Sequence, residues 1–140
     1  MTDTTGSDRI DRLRAVPLFS GISDAGLQQV ARLATEHDVP AGHVLIQPEE
    51  AGAGLFVIED GTVVVERPSE SIELGAGEFI GELALLFEGA VHALRVRAVT
   101  PVRVLALARA DVTRLVESEP QVALAMLSVL ARRLWHATRQ

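Results

Sequence analysis

The chain has 140 residues, of which 48% are hydrophobic, and it carries a formal net charge of −6 and no cysteine. This size and apolar content suit one domain with a hydrophobic core and exclude a disordered chain. The acidic balance argues against broad nucleic-acid binding, and the lack of cysteine excludes disulfides and thiolate metal sites. The longest purely apolar run, Val122–Leu127, is too short to cross a bilayer.

The N-terminal part of the chain predicts a tail and two short helices. Met1–Asp8 is polar and has no apolar core of the kind found in secretory signals, so we expect a disordered tail and a cytoplasmic protein. Arg9–Val16 predicts a helix that Pro17 stops. A second helix is predicted over about residues 24–33, with Ser23 as its N-cap.

Residues from about 36 to 108 follow a different pattern, in which short runs of Val, Ile and Leu alternate with turns that contain Gly and Pro. Seven or eight such runs predict an antiparallel β structure that is closed or sandwiched. Asp60-Gly61 lies between two of these runs and predicts a hairpin, because both turn positions tolerate positive φ. A jelly-roll barrel of this kind hides its edges and leaves room for one small ligand.

The C-terminal part of the chain returns to helical periodicity. Asp111–Val116 predicts a short helix, and Ser118-Glu119-Pro120 starts a long one over Gln121–Thr138. The apolar positions of the long helix cover more than one narrow stripe, so one face can dock on the barrel while a second packs on another helix. The alternatives are a homodimer through this helix, which we favour, and a helix buried within its own domain.

One short motif combines a Gly-Glu pair with an apolar run of one or two helical turns. It reads Phe-Ile-Gly-Glu-Leu-Ala-Leu-Leu over residues 79–86, and a strand-like segment follows at Ala93–Ala98. The start of such a helix presents free backbone N–H groups and the positive end of the helix dipole. The motif therefore predicts a place where an anion binds.

These features together resemble the cyclic nucleotide-binding domain family. Leu13–Phe19 resembles the family's opening, in which a helix leads into Pro-Leu-Phe, and Gly42 and Gly61 fall where the family keeps turn glycines. The motif that begins at Phe79 resembles the family's phosphate-binding cassette. The likeness runs from about residue 10 to residue 139.

The resemblance implies a fold that is mainly β with flanking helices, in the α+β class. Its centre is an antiparallel jelly-roll or β-roll barrel over about residues 36–108. Short N-terminal helices precede the barrel, and C-terminal helices that include a long last helix follow it over about residues 111–139. Residues 9–140 then form one cyclic nucleotide-binding-like domain.

The resemblance also implies a ligand, a cyclic nucleotide such as cAMP or cGMP. In the family, the cassette glycine and the following amides approach the cyclic phosphate, and these positions are Gly81, Leu83 and Ala84 here. The Glu, here Glu82, accepts a hydrogen bond from the ribose 2′-hydroxyl. Glu82 has an alternative interpretation as a carboxylate that only stabilises the start of the cassette helix.

The family's phosphate-binding arginine is replaced in this chain. Its slot holds His92, and the adjoining Ser/Ala slot holds Ala93. Moving Arg95 into the slot would put Arg97 where a small buried residue belongs, and strand alternation turns both arginines to the opposite face from His92. Because an arginine fork grips phosphate through two charged bonds and a histidine is mostly neutral at pH 7, we expect weak, altered or absent binding.

The end of the long helix is where the family places groups that contact the base. Trp135 and Thr138 are the candidates here, and Trp135 has an alternative interpretation, which we favour, as an aromatic side chain packed in a dimer interface. These contacts are implied by the resemblance alone, because the spacing of the two residues does not by itself indicate a base-binding site.

Two regulatory functions follow, and an enzyme does not. The first is a ligand-binding module that passes a shift of the barrel to the long helix, and the second is a degenerate sensor kept as a dimerisation or docking scaffold. A cupin enzyme needs a His-x-His pair, and the four histidines of this chain do not form one. We expect no required cofactor, no metal, no membrane partner and, without a helix-turn-helix before Gln140, no direct nucleic-acid partner.

Overall fold

The computed structural model describes residues 4–47, 54–68, 70–81 and 95–138 of the chain. Within these ranges the chain forms four α-helices and eight β-strands. It divides into two compact units, a helical unit of Met1–Arg32 with Thr113–Gln140 and a β unit of Leu33–Val112. None of the helices in the described ranges is both long enough and apolar enough to span a membrane.

Two four-stranded antiparallel sheets make up the β unit. Their strand orders are β1-β8-β3-β6 and β2-β7-β4-β5. The predicted antiparallel β-roll with flanking helices is therefore confirmed. The strands are β1 (Thr35–Val39), β2 (Val44–Ile46), β3 (Gly54–Asp60), β4 (Val63–Glu66), β5 (Ile72–Leu74), β6 (Phe79–Ile80), β7 (Arg95–Ala98) and β8 (Val102–Ala108).

One apolar core of the β unit contains side chains from both sheets. Alternate side chains along each strand point to one face, so strands rich in Val and Ile contribute every second residue to this core. Burial of each such side chain contributes roughly 1.5–3 kcal/mol. The buried members of the core are Ile46, Ile58, Val63, Ile80, Val96, Ala98, Val102 and Val104.

The turn at Asp60-Gly61 differs from the hairpin that the sequence predicts. β3 pairs with β6 and β8, whereas β4 pairs with β5 and β7, so this turn joins two different sheets. Gly61 has φ of 96°, as a turn glycine should. A Cβ at Gly61 would also lie 2.3 Å from the carbonyl oxygen of Pro101. The glycine is thus required by a close backbone approach at a sheet corner, which local sequence does not reveal.

The helical unit contains the two N-terminal helices and the long C-terminal helix. The helices of the chain are α1 (Thr4–Arg14), α2 (Asp24–Leu33), α3 (Arg109–Ser118) and α4 (Gln121–Thr138), and a 3-10 turn spans Pro17–Phe19. The predicted bounds of α2 and α4 agree with the structure, and α4 contacts the 3-10 turn.

Helix α1 starts earlier than the sequence predicts. It begins at Thr4, so residues 4–8 of the expected tail are helical. Extending an existing helix is much easier than nucleating one. The helix that contains Ile10 and Leu13 can therefore extend towards the N-terminus through residues of low helix propensity. The helix ends at Arg14 because Val16, which precedes Pro17, is extended with φ of −75° and ψ of 123°.

Candidate functional site

The glycine of the cassette motif lies directly after β6. This strand pairs with β3 through Phe56 with Ile80 and Val57 with Phe79, and Ile80 is part of the buried core. Gly81 has φ of 91°, in the left-handed region that favours glycine. The chain therefore leaves strand β6 through a backbone conformation that residues with a side chain rarely adopt.

The other cassette residues lie outside the described residues. They are Glu82, Leu83, Ala84, His92 and Ala93. Their roles toward a phosphate or a ribose therefore remain predictions, and so does the assignment of His92 to the arginine slot.

Strand β7, which follows the cassette, has the alternation that the sequence predicts. Val96 and Ala98 are buried in the core of the β unit. Arg95 is exposed, and the Nε of Arg97 lies 3.4 Å from the Oε1 of Glu66 on β4. The two arginines thus lie on the outer face of the sheet, opposite to Val96.

The alternation of β7 determines which basic side chains of this segment point away from the core. Between Gly81 and Ala98 the sequence has three residues with basic side chains, His92, Arg95 and Arg97. Because both arginines lie on the outer face, neither points into the core that Val96 and Ala98 enter. His92 is the remaining basic residue of the segment.

The two candidates for base contacts lie in the helical unit. Trp135 on α4 is exposed. The Oγ1 of Thr138 lies 3.1 Å from the carbonyl oxygens of both Leu134 and Trp135, so this hydroxyl can donate to its own helix. Since Gly81 belongs to the β unit, contacts between these residues and a ligand at the cassette stay a prediction.

Helix α4 also has an exposed apolar seam, which we define as Leu124, Leu127, Ala131, Leu134 and Thr138. Its three leucines are 57%, 61% and 65% exposed. Val122 and Met126, on another face of the helix, are buried. The seam residues follow one another at intervals of 3, 4, 3 and 4, which is the heptad spacing of a helix that packs on a second helix. Two apolar faces are predicted from the sequence, and the heptad spacing of the second is a further signal that the sequence carries.

A separate cleft of about 330 Å³ lies at one end of the β unit. The Nε of Arg103 lies 3.3 Å from Asp38 Oδ1 here, and this hydrogen bond raises the pKa of Arg103 above its ordinary value. Asp60 lies about 13 Å along β3 from Phe56, the partner of Ile80, so the cleft lies apart from the end of β6 that leads into Gly81. Among the residues described here, no group of acidic and histidine side chains is arranged to hold a metal ion.

Sequence comparisons with known proteins all lead to one family. A family model for the cyclic nucleotide-binding domain matches residues 36–119, which is more than half of the chain. A cyclic nucleotide-gated potassium channel of Rhizobium etli is 39% identical over 109 residues, covering 78% of this chain and 30% of the channel. The cyclic AMP receptor protein of Thermus thermophilus is 30% identical over 131 residues, covering 89% of this chain and 60% of that protein.

A solved structure supports the same assignment. The crystal structure of Thermus thermophilus catabolite activator protein superposes with a TM-score of 0.75 at 27% identity, covering 87% of this chain and 60% of that one. The chain thus spans less than two thirds of each of these relatives. From its β-roll, its cassette glycine and these matches, the chain belongs to the cyclic nucleotide-binding domain family.

Proposed function

We propose that the chain is a regulatory module that binds a cyclic nucleotide in its β unit, and that it binds cAMP or cGMP weakly. The channel and the receptor that it resembles are named for such ligands. The ligand's phosphate would meet the backbone after Gly81, and its ribose would meet Glu82. The module would act by shifting the position of its helices and would catalyse no reaction.

The observation that carries the weak-binding proposal is the placement of Arg95 and Arg97 on the outer face of β7. Without them, a bound phosphate would depend on the backbone amides that follow Gly81 and on His92. A charge-assisted hydrogen bond contributes about 1.5–3 kcal/mol. Loss of one or two such bonds reduces affinity by roughly ten-fold to ten-thousand-fold.

The exposed seam of α4 favours a second part of the proposal, a homodimer. Three exposed leucines at heptad spacing present a self-complementary apolar stripe, and the seam itself contains no charged residue. A second copy of the same helix fits this stripe by knobs-into-holes packing. In this arrangement Trp135 would lie beside the dimer interface.

The alternative is a degenerate sensor with no nucleotide ligand, kept as a dimerisation or docking scaffold. The seam on α4 would serve that function equally well. The two functions differ in whether the barrel still recognises the sugar and the base.

Calorimetric titration with cAMP and with cGMP, on the chain and on His92→Arg, distinguishes them. We expect weak binding by the chain and at least ten-fold tighter binding by the variant. His37→Arg makes the same change on the exposed strand β1 and should leave affinity unaltered. Failure of both the chain and His92→Arg to bind either nucleotide would exclude the ligand-binding proposal and leave the scaffold. Tight binding by the unmodified chain would contradict the role given to His92.

A further inference from the structure

Glu119, in the short connection between α3 and α4, contacts the start of α2. Its Oε1 accepts a hydrogen bond from the backbone N–H of Ser23 at 2.9 Å, and its Oε2 accepts one from the Ser23 hydroxyl at 3.0 Å. The Ser23 Oγ in turn accepts the backbone N–H of Gly26 at 3.0 Å. The cap of α2 is therefore built from two segments that lie 96 residues apart in the chain, both within the helical unit.

This arrangement goes beyond an ordinary N-cap. A serine side chain is sufficient to satisfy a free N–H group in the first turn of a helix. The added carboxylate also places a negative charge at the positive end of the α2 dipole and makes a charge-assisted bond to the Ser23 N–H. Glu119 thus gains a specific partner that a surface glutamate would lack.

A second contact joins the same two segments. The Ser118 hydroxyl donates to the side-chain Oε1 of Gln29 at 2.8 Å. Ser23, Gly26 and Gln29 are three residues apart and lie along one side of the first part of α2. The corner between α3 and α4 therefore contacts α2 at two points along that side.

Gly26 supplies independent support for the importance of this contact. It is buried within α2, where glycine is a poorer helix former than alanine. A Cβ at this position would lie 2.7 Å from Glu119 Cδ, 2.8 Å from its Cγ and 2.9 Å from its Oε1. The lack of a side chain at Gly26 makes room for the carboxylate, at the expense of helix propensity.

We propose that Glu119 is a latch that holds the α3–α4 corner on the first turn of α2, so that the N-terminal and C-terminal helices move as one body. Any reorientation of α4 would then carry α1 and α2 with it, or would require the latch to open. The latch concerns only the two ends of the chain, so it does not depend on whether a nucleotide binds the β unit.

A double-mutant cycle between Gly26→Ala and Glu119→Ala tests the geometry of the latch by urea unfolding. In the unmodified chain, Gly26→Ala displaces the carboxylate, and we expect the folding equilibrium constant to fall by about 2-fold to 30-fold. In the Glu119→Ala background the space is vacant, so the same change should raise the constant by up to about five-fold through helix propensity. An effect of the same sign and size in both backgrounds would overturn the latch.

Distances between spin labels test whether the latch couples the helices. Because the chain has no cysteine, Gln28→Cys on α2 and Arg132→Cys on α4 introduce two unique attachment points, both exposed. The labelled chain is diluted into unlabelled chain so that only distances within one molecule are recorded. We expect a narrow distance distribution that Glu119→Ala broadens or shifts.

The matched control is Asp24→Ala, which removes another carboxylate from the first turn of α2. Asp24 pairs with Arg14 at 2.8 Å and makes no described contact with α3 or α4. Asp24→Ala should lower the free energy of unfolding modestly and leave the distribution of spin-label distances narrow. If Glu119→Ala lowers stability but leaves the distribution as narrow as Asp24→Ala does, Glu119 is only a helix cap and the proposed coupling is wrong.

Discussion

Gly81 has a conformational role in the fold and a chemical role in the proposed function. Its left-handed backbone directs the chain out of β6, and in the proposed function its amide meets the phosphate. The proposed function gives the next role to His92, whose attraction for a phosphate would depend on pH. Single residues therefore determine both the shape of the proposed pocket and its attraction for an anion.

Gly81→Ala should destabilise the β unit by roughly 1–2 kcal/mol, because a side chain is strained at this φ. Urea unfolding followed by circular dichroism measures the change. Gly75→Ala is the control, since its backbone is outside the left-handed region and its Cβ would approach nothing closer than the Gly61 carbonyl oxygen at 3.9 Å. Equal losses in the two variants would show that Gly81 carries no special strain.

Affinity for cAMP should rise as pH falls from about 8 to about 5.5, through the ordinary range of a histidine near 6.5. A bound phosphate favours the protonated imidazole, so the pKa of His92 should be higher in the complex than in the free chain. The gain in affinity is then present at acid pH and is lost as pH rises. Titration calorimetry at the two pH values measures it, and His92→Arg should abolish the dependence. An unmodified chain with the same affinity at both values would remove His92 from the site.

Arg97→Ala should leave the affinity for cAMP unchanged, because this side chain pairs with Glu66 on the outer face of its sheet. The pair is partly exposed, so its loss should lower stability by less than about 1 kcal/mol. Calorimetry and thermal unfolding on one preparation measure both quantities. A ten-fold loss of affinity without a matching loss of stability would place Arg97 at the ligand and contradict the register of β7.

Elements differ in how far the sequence alone predicts them. The bounds of α2 and α4 were predictable, because Ser23 caps one helix and Pro120 directly precedes the other. The alternation of β7 was predictable too, since Val96 and Ala98 alternate with two arginines. The partner strands of β3 were not, because the Asp60-Gly61 turn has the same local sequence whether it closes a hairpin or joins two sheets. Strand pairing between segments that are distant in the sequence determines which of the two the turn does.

Leu127→Glu or Leu134→Glu should convert a dimer to a monomer, since either change places a charge in the α4 seam. Both leucines are exposed within one chain, so the folded monomer should persist. Sedimentation equilibrium measures the mass, and circular dichroism confirms folding. His136→Glu introduces a carboxylate on the same helix outside the seam and should leave the mass unaltered. A dimer that survives both leucine changes would show that the seam is not its interface.

On the scale of the whole molecule, the helical unit is assembled from the two ends of the chain and the β unit from its middle. Each unit has its own buried side chains, such as Phe19 in the helical unit and Phe79 in the β unit. A chain of this size usually unfolds in one cooperative transition.

Phe19→Ala and Phe79→Ala should each lower the free energy of unfolding by about 3–5 kcal/mol, because each removes a fully buried ring. If the two units are cooperative, each variant shifts the helical and the β signals in circular dichroism together. A Phe19→Ala variant that shifts only the helical signal would show that the units unfold independently.

Strand β1 lies at the edge of its sheet and pairs with β8 alone among the described strands. Its Thr35, Glu36, His37 and Asp38 are all exposed, so two carboxylates stand along a border that could otherwise recruit a further strand. Charged side chains along an edge strand make the addition of a further strand less favourable. Growth of the sheet into aggregates along this border is thereby discouraged.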